Sequence, residues 1–167
     1  FAPGHGFGIV TAAAALNNGV YDLDSSFECD GYMHIEGEHV RVGQAHGQES
    51  LREALERGCE SVLSRISGEL GVNAMYEQFN NLGFGDSTGV GIAKEGKGSL
   101  LHSKYVSDLQ IMQMGYGENI GVTPMQYASA LCALLNGGKA MQPYLINEVV
   151  KPGAGGGVVM KNTPTEK

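Results

Sequence analysis

Between Ser50 and Leu70 the large apolar residues Leu51, Leu55, Val62, Ile66 and Leu70 recur at helical spacing. A chain carrying such a stripe must bury it against other elements. Ser50 has the hydroxyl of an N-cap and Gly71 reads as the stop, so the pattern predicts a helix over 50–70. An alanine-rich run from Phe7 to Asn18, closed by Gly19, predicts a second, buried helix with a weak start, because Gly6 and Gly8 are poor helix formers. At Thr123-Pro124-Met125-Gln126 three start signals coincide: Thr as cap, Pro at the first helical position, and Gln three residues after the cap. That helix runs through Ala128 and Leu131 to Leu135. Shorter helices are expected over 73–81 and 105–114.

The remaining chain reads as loop and short strand. Residues 20–48 predict a loop with one hairpin, from Tyr32–Ile35 and His39–Val42, and Tyr144–Val150 predicts a strand that Val158–Met160 can pair with. Gly153, Gly155, Gly156 and Gly157 predict a flexible connection between them, so residues 151–167 read as a tail or hairpin on a single domain. The expected class is mainly α, with a few short strands at about 32–42 and 144–160.

The 167 residues are 42% hydrophobic and 17% charged, which suits one globular domain. A net charge of −7 without a basic cluster argues against a nucleic-acid partner. No apolar run is long enough for a membrane segment, and the start on Phe1 reads as a piece of a longer protein. Cys29, Cys59 and Cys132 are odd in number and irregularly spaced, which speaks against a disulfide framework or a zinc ribbon and for buried small hydrophobes. Nothing in the sequence calls for a cofactor.

The order of these marks resembles the transpeptidase domain of class B (high-molecular-weight) penicillin-binding proteins. The resemblance rests on Phe1-Ala-Pro-Gly followed by the Ile9 to Leu16 run, Cys29-Asp-Gly, Ala45-His-Gly, Ser50-Leu-Arg-Glu-Ala-Leu, Leu82-Gly-Phe-Gly, Thr88-Gly, Gly115-Tyr-Gly, Val122-Thr-Pro-Met-Gln-Tyr-Ala and Leu135-Asn-Gly-Gly. It covers nearly the whole chain. It implies the helical subdomain of the penicillin-binding protein and serine β-lactamase-like fold, and a membrane-anchored, extracytoplasmic parent. It also implies packing against a five-stranded sheet built largely by residues outside this chain, so self-association or repacking of the helices is expected.

The family's chemistry uses Ser-x-x-Lys, Ser-x-Asn and Lys-Thr-Gly motifs. At the matching positions this chain has His5 for the serine, Gly8 for the lysine, Gly58 for the second serine and Glu60 for the asparagine, and Lys161-Asn-Thr does not match the third motif. Loss of a serine nucleophile alone costs roughly a million-fold in a hydrolase of comparable logic. A carboxylate at Glu60 would also repel a substrate that carries its own.

Three functions remain in view. The first is a non-catalytic homologue that binds cell-wall peptide or cell-wall synthesis proteins. The second is part of a transpeptidase that binds penicillin when complete. The third is a metal or small-ligand module, because some family members hold a metal in the segment carrying Cys29, His34, His39 and His46, of which Cys29, His39 and His46 are the candidate ligands. As replacement nucleophiles, His5 lacks a visible base or orienting partner, and Cys59 has only Arg57 and Arg65 as cationic neighbours, with a carboxylate beside it that disfavours the thiolate.

Overall fold

In the computed structural model, which describes residues 1–153 and 156–167, the chain runs from a short 3-10 turn over Gly4–Phe7 into α1 (Gly8–Asn17). There follow β1 (Ser26–Cys29), β2 (Tyr32–Ile35), β3 (Glu38–Arg41) and β4 (Gly47–Ser50), then α2 (Leu51–Arg57) and α3 (Glu60–Asn81). The rest comprises α4 (Asp108–Met114), α5 (Pro124–Leu135), β5 (Glu148–Val150) and β6 (Val158–Lys161). Gly155, one of the glycines expected to loosen the tail, lies outside the described residues.

The mainly α class does not hold. The described residues contain three separate two-stranded antiparallel sheets, β1 with β4, β2 with β3, and β5 with β6, so the fold is mixed α and β. β2–β3 and β5–β6 lie in the spans where strands are expected. β1–β4 lies where only loop is expected, with Ser26 paired to Ser50 and Cys29 to Gly47. Each of these two strands has four residues and its partner is far away in sequence, so neither carries a local signature that outweighs loop.

The alanine-rich α1 is the centre of the molecule. Val10 and Ala14 face one apolar cluster, with Phe7, Met75, Phe79, Phe84, Ile111 and Met114. Ala12 and Ala15 face the other, with Phe27, Leu51, Ala54, Val62 and Ile66. A helix buried on two faces needs small side chains to let both neighbours approach, which explains the run of alanines.

The helix expected over 50–70 is two helices. Ser50 caps α2 as expected, in a reciprocal capping box with Glu53. Gly58 then turns left-handed, at φ 64° and ψ 44°, and Cys59 becomes the N-cap of α3. The apolar spacing runs on across the break because Leu51, Val62 and Ile66 pack on the same cluster from both helices. Gly71, the expected stop, has non-helical backbone at φ 73°, but α3 resumes beyond it through the segment expected to be a separate helix. Among the described residues no helix is long and apolar enough to cross a membrane.

Candidate functional site

Two neighbouring groups of side chains meet where the start of α1, the end of β1 and the α2–α3 junction converge. The first holds His5, Gly58 and Glu60, which the resemblance sets at motif positions. His5, in the 3-10 turn before α1, has Nδ1 3.0 Å from the Gly58 carbonyl oxygen and Nε2 3.4 Å from Glu60 Oε1. His5, Gly58 and Glu60 border a cavity of about 380 Å³, together with Gly43, His46 and Arg57. Both ring nitrogens face oxygen acceptors, so the pair is satisfied when it carries one extra proton, either on the imidazole or on Glu60.

Gly8 and Gly58 have little room beside them. A Cβ at residue 8 would stand 2.7 Å from Leu63 Cδ1, and Leu63 is fully buried, so its methyls fill the space where any larger side chain at residue 8 would begin. A Cβ at residue 58 would meet His5 Cβ, Nδ1 and Cγ at 3.0–3.2 Å, on backbone that disfavours any side chain. Nearby hydroxyls are engaged elsewhere: Thr11 donates to the Gly115 carbonyl, Ser61 to that of Tyr32 and Ser64 to that of Ser61.

The electrostatics of this group are acidic. Burial raises the Glu60 pKa, His5 partly offsets the rise, and Glu118 adds to it. Burial and the Glu118 and Glu60 carboxylates push the Tyr116 phenol up to about 12. A glutamate with a raised folded-state pKa contributes stability that is complete below its ordinary value of 4.5 and is lost as pH rises through the folded value. Glu60→Gln is therefore expected to melt above the parent at pH 7, with the gap closing below pH 4.5. A gap that persists or widens in acid would show that the gain is unrelated to the carboxylate's charge.

The second group is built by the β1–β4 pair and the α2–α3 break. Phe27 and Cys29 of β1 point inward, and the register sets Glu49 of β4 opposite Phe27, so a carboxylate enters an apolar cluster. Cys59, at the α3 cap, and His46, just before β4, close the group. Ligand atoms of Cys29, His46, Glu49 and Cys59 all lie within 4.8 Å of one another. The Cys59 Sγ donates to the Cys29 Sγ at 2.9 Å, and Cys29 Sγ lies 3.5 Å from His46 Nδ1. Glu49 Oε2 is 3.2 Å from Arg57 Nη1 and 3.7 Å from His46 Nδ1. Glu49 Oε1 is buried with no hydrogen-bond partner, which is costly for a carboxylate oxygen. Burial, the Cys29 thiol and Glu49 raise the Cys59 pKa strongly.

Of the candidate ligands, Cys29 and His46 are thus brought together, whereas His39 sits on β3 with its ring against His34, 4.6 Å between centroids, and His34 pairs with Asp30. The sequence does not single out Glu49, and it reads Cys59 as a buried small hydrophobe or a replacement nucleophile rather than a ligand. The apolar alternation of Phe27 and Cys29 was the one signal that could have pointed inward here. Of the three cysteines, Cys29 and Cys59 are buried as expected, but Cys132 is exposed.

This mixed fold, with its polar cleft at the foot of a central helix, is that of a transpeptidase-type domain. The family description "Penicillin binding protein transpeptidase domain" matches residues 1–167. The chain is similar to Stage V sporulation protein D of Bacillus subtilis, 28% identical over 155 residues, covering 91% of this chain and 24% of that protein. It is likewise similar to Penicillin-binding protein PbpB of Mycolicibacterium smegmatis, 28% identical over 154 residues with the same two coverages. Among solved structures, the D,D-transpeptidase domain of a peptidoglycan glycosyltransferase from Eggerthella lenta superposes with a TM-score of 0.89 at 24% identity, over 100% of this chain and 44% of that one. The chain belongs to the penicillin-binding protein transpeptidase domain family, whose place is peptidoglycan synthesis in the cell wall. It spans about a quarter of the length of the two relatives.

Proposed function

We propose that this chain is a non-catalytic transpeptidase domain, a scaffold that engages cell-wall peptide or cell-wall synthesis proteins without acylating. The observation that carries this reading is the buried Leu63 methyl packed where a side chain at residue 8 would begin. His5, Gly58 and Glu60 support it: the group has no hydroxyl beside a base, and the Glu60 carboxyl is already engaged by His5. Exposed apolar side chains, Leu135 on α5 and Leu145, Ile146, Val158 and Val159 near the last hairpin, support contact with such proteins or with a second copy of the chain. A monomer by light scattering across a concentration series would remove the second copy.

Incubation with a fluorescent penicillin, read by intact mass, is expected to leave the chain unmodified. A stoichiometric adduct would overturn the reading in favour of an active transpeptidase part, and peptide mapping would name the nucleophile.

The cluster of Cys29, His46, Glu49 and Cys59 favours a second reading beside the first, that this domain binds a divalent metal of the zinc class. Two thiols, an imidazole and a carboxylate form a four-ligand set suited to tetrahedral zinc, and the unpartnered Glu49 Oε1 supports a missing cationic partner. Zinc would separate the two sulfurs to about 3.8 Å from their present contact, on metal–sulfur bonds of about 2.3 Å.

A further inference from the structure

We propose that the groove between the β2–β3 hairpin and the α3–α4 pair docks a basic segment of a partner protein. One lysine or arginine side chain lies along an apolar floor, with its cationic head among the carboxylates of Glu28, Glu36 and Asp108. This deepens the scaffold reading and rests on its partner-binding half alone, not on the absence of acylation.

The groove encloses about 710 Å³, against about 380 Å³ beside His5 and Glu60. Its walls are fixed by the fold. The hairpin turns through Glu36 and Gly37, whose φ angles of 50° and 86° suit a tight two-residue turn. Met33 anchors the hairpin in the interior, and the Ser61 hydroxyl of α3 donates to the Tyr32 carbonyl at 2.8 Å, which ties the hairpin's base to α3. On the other side Gly68 of α3 lets α4 approach, since a Cβ at residue 68 would stand 3.0 Å from Met112 Cγ. Ile35 and Met112 give the lining its apolar part. A long basic side chain suits such a surface, because it can bury its methylenes and keep its charge at the rim.

The charges of the lining are one-sided. Its two basic residues are already held: Arg65 by Glu69 at 2.8 Å and over the Phe27 ring at 5.9 Å from the centroid, and His34 by Asp30 at 2.7 Å. Glu28, Glu36 and Asp108 line the same groove, are exposed, and take part in no ion pair among the described residues. Three such carboxylates around an apolar floor attract a cation that brings its own stem. Their oxygens do not gather at one point: among the described residues, three or more ligand atoms converge only at Cys29, His46, Glu49 and Cys59. The groove therefore suits an extended organic cation rather than a metal ion. A second copy of the chain is a poor source of it, because 18 acidic against 11 basic residues leave the chain at −7. A partner that is locally basic has the complementary field.

The test follows amide NMR shifts of the whole chain as a short blocked peptide of lysine, leucine and alanine is added, with the glutamate-for-lysine peptide and spermidine as comparisons. The shifts are expected to saturate, to cluster at residues 32–36, 61–69 and 108–112, and to weaken with added salt. Glu28→Gln, Glu36→Gln and Asp108→Asn together should weaken binding about tenfold. Glu56→Gln, Glu77→Gln and Glu148→Gln together change the net charge equally at exposed sites outside the groove, and should leave binding within about twofold of the parent. All six side chains are exposed, so both triple variants should keep the parent's fold, which the rest of the amide spectrum reports. The proposal is wrong if the shifts map outside the groove, if both triple variants lose affinity equally, if the glutamate peptide binds as well as the lysine peptide, or if nothing saturates at millimolar peptide. Spermidine binding as tightly as the peptide would show that charge alone is recognised and would overturn the docking of a peptide. A chain that penicillin leaves unmodified but that binds no basic peptide here loses this surface and keeps the non-catalytic reading. A penicillin adduct on a chain that binds at the groove loses the non-catalytic reading and keeps the surface.

Discussion

Gln126→Ala is expected to lower stability by about 3 kcal/mol, seen as a fall of about 6–12 °C in Tm. Gln126 looks like an ordinary helix-start residue, yet it is almost fully buried and all of its amide is engaged. Its Oε1 accepts from the Thr123 N–H at 2.8 Å, completing the capping box of α5. Its Nε2 donates to the carbonyls of Asp86 at 2.7 Å and Lys97 at 2.9 Å, so one side chain pins the loop before α4 to the start of α5. Truncation removes a cap, worth about 1 kcal/mol, and leaves two carbonyls without their donor, at about 1 kcal/mol or more each. Gln126→Glu should be no better, because it keeps the acceptor for Thr123 but sets a carboxylate against the two carbonyls. A loss under about 1 kcal/mol in Gln126→Ala would mean that solvent satisfies those carbonyls and the network contributes little.

Reduced, chelator-stripped protein should take up one zinc ion, and Cys59→Ser or Cys29→Ser should weaken that binding by more than about 100-fold, beyond what outer-shell changes produce. Glu49→Gln should weaken it less, because an amide oxygen can still ligate but brings no charge. His39→Ala should leave it unchanged, since His39 packs on His34 and stands outside the cluster. Binding must release the thiol protons, and the Cys59 thiol holds its proton tightly, so affinity should rise with pH through the neutral range. At about 100 times the dissociation constant, zinc should add about 2.7 kcal/mol to the stability of the wild-type chain and nothing to the double cysteine variant. No uptake from micromolar zinc by the reduced protein would end the metal reading.

Much of the helical framework was legible. The capping boxes at Ser50 with Glu53 and at Thr123 with Gln126 join residues three apart, so their signal is contained in four letters of sequence. The same signature was present at Ser107 with Gln110, and it corrects the start of α4, expected at Tyr105, to Asp108. The break at Gly58 was hidden because the apolar spacing continues through it, and only the left-handed backbone shows that Leu51 and Val62 belong to different helices. Glu49 reads as a solvent-facing charge until its register opposite Phe27 is known.

By itself, the sequence determined the alanine-rich helix, the caps and the family resemblance, because each is a property of neighbours along the chain. Tertiary structure alone decided that Leu63 fills the space beside Gly8 and that His5 meets Gly58 and Glu60. It also decided that Cys29, His46, Glu49 and Cys59 converge. Those contacts depend on a strand pair whose register is set far from either strand and on one glycine turning left-handed between two helices, and periodicity along a sequence reports neither.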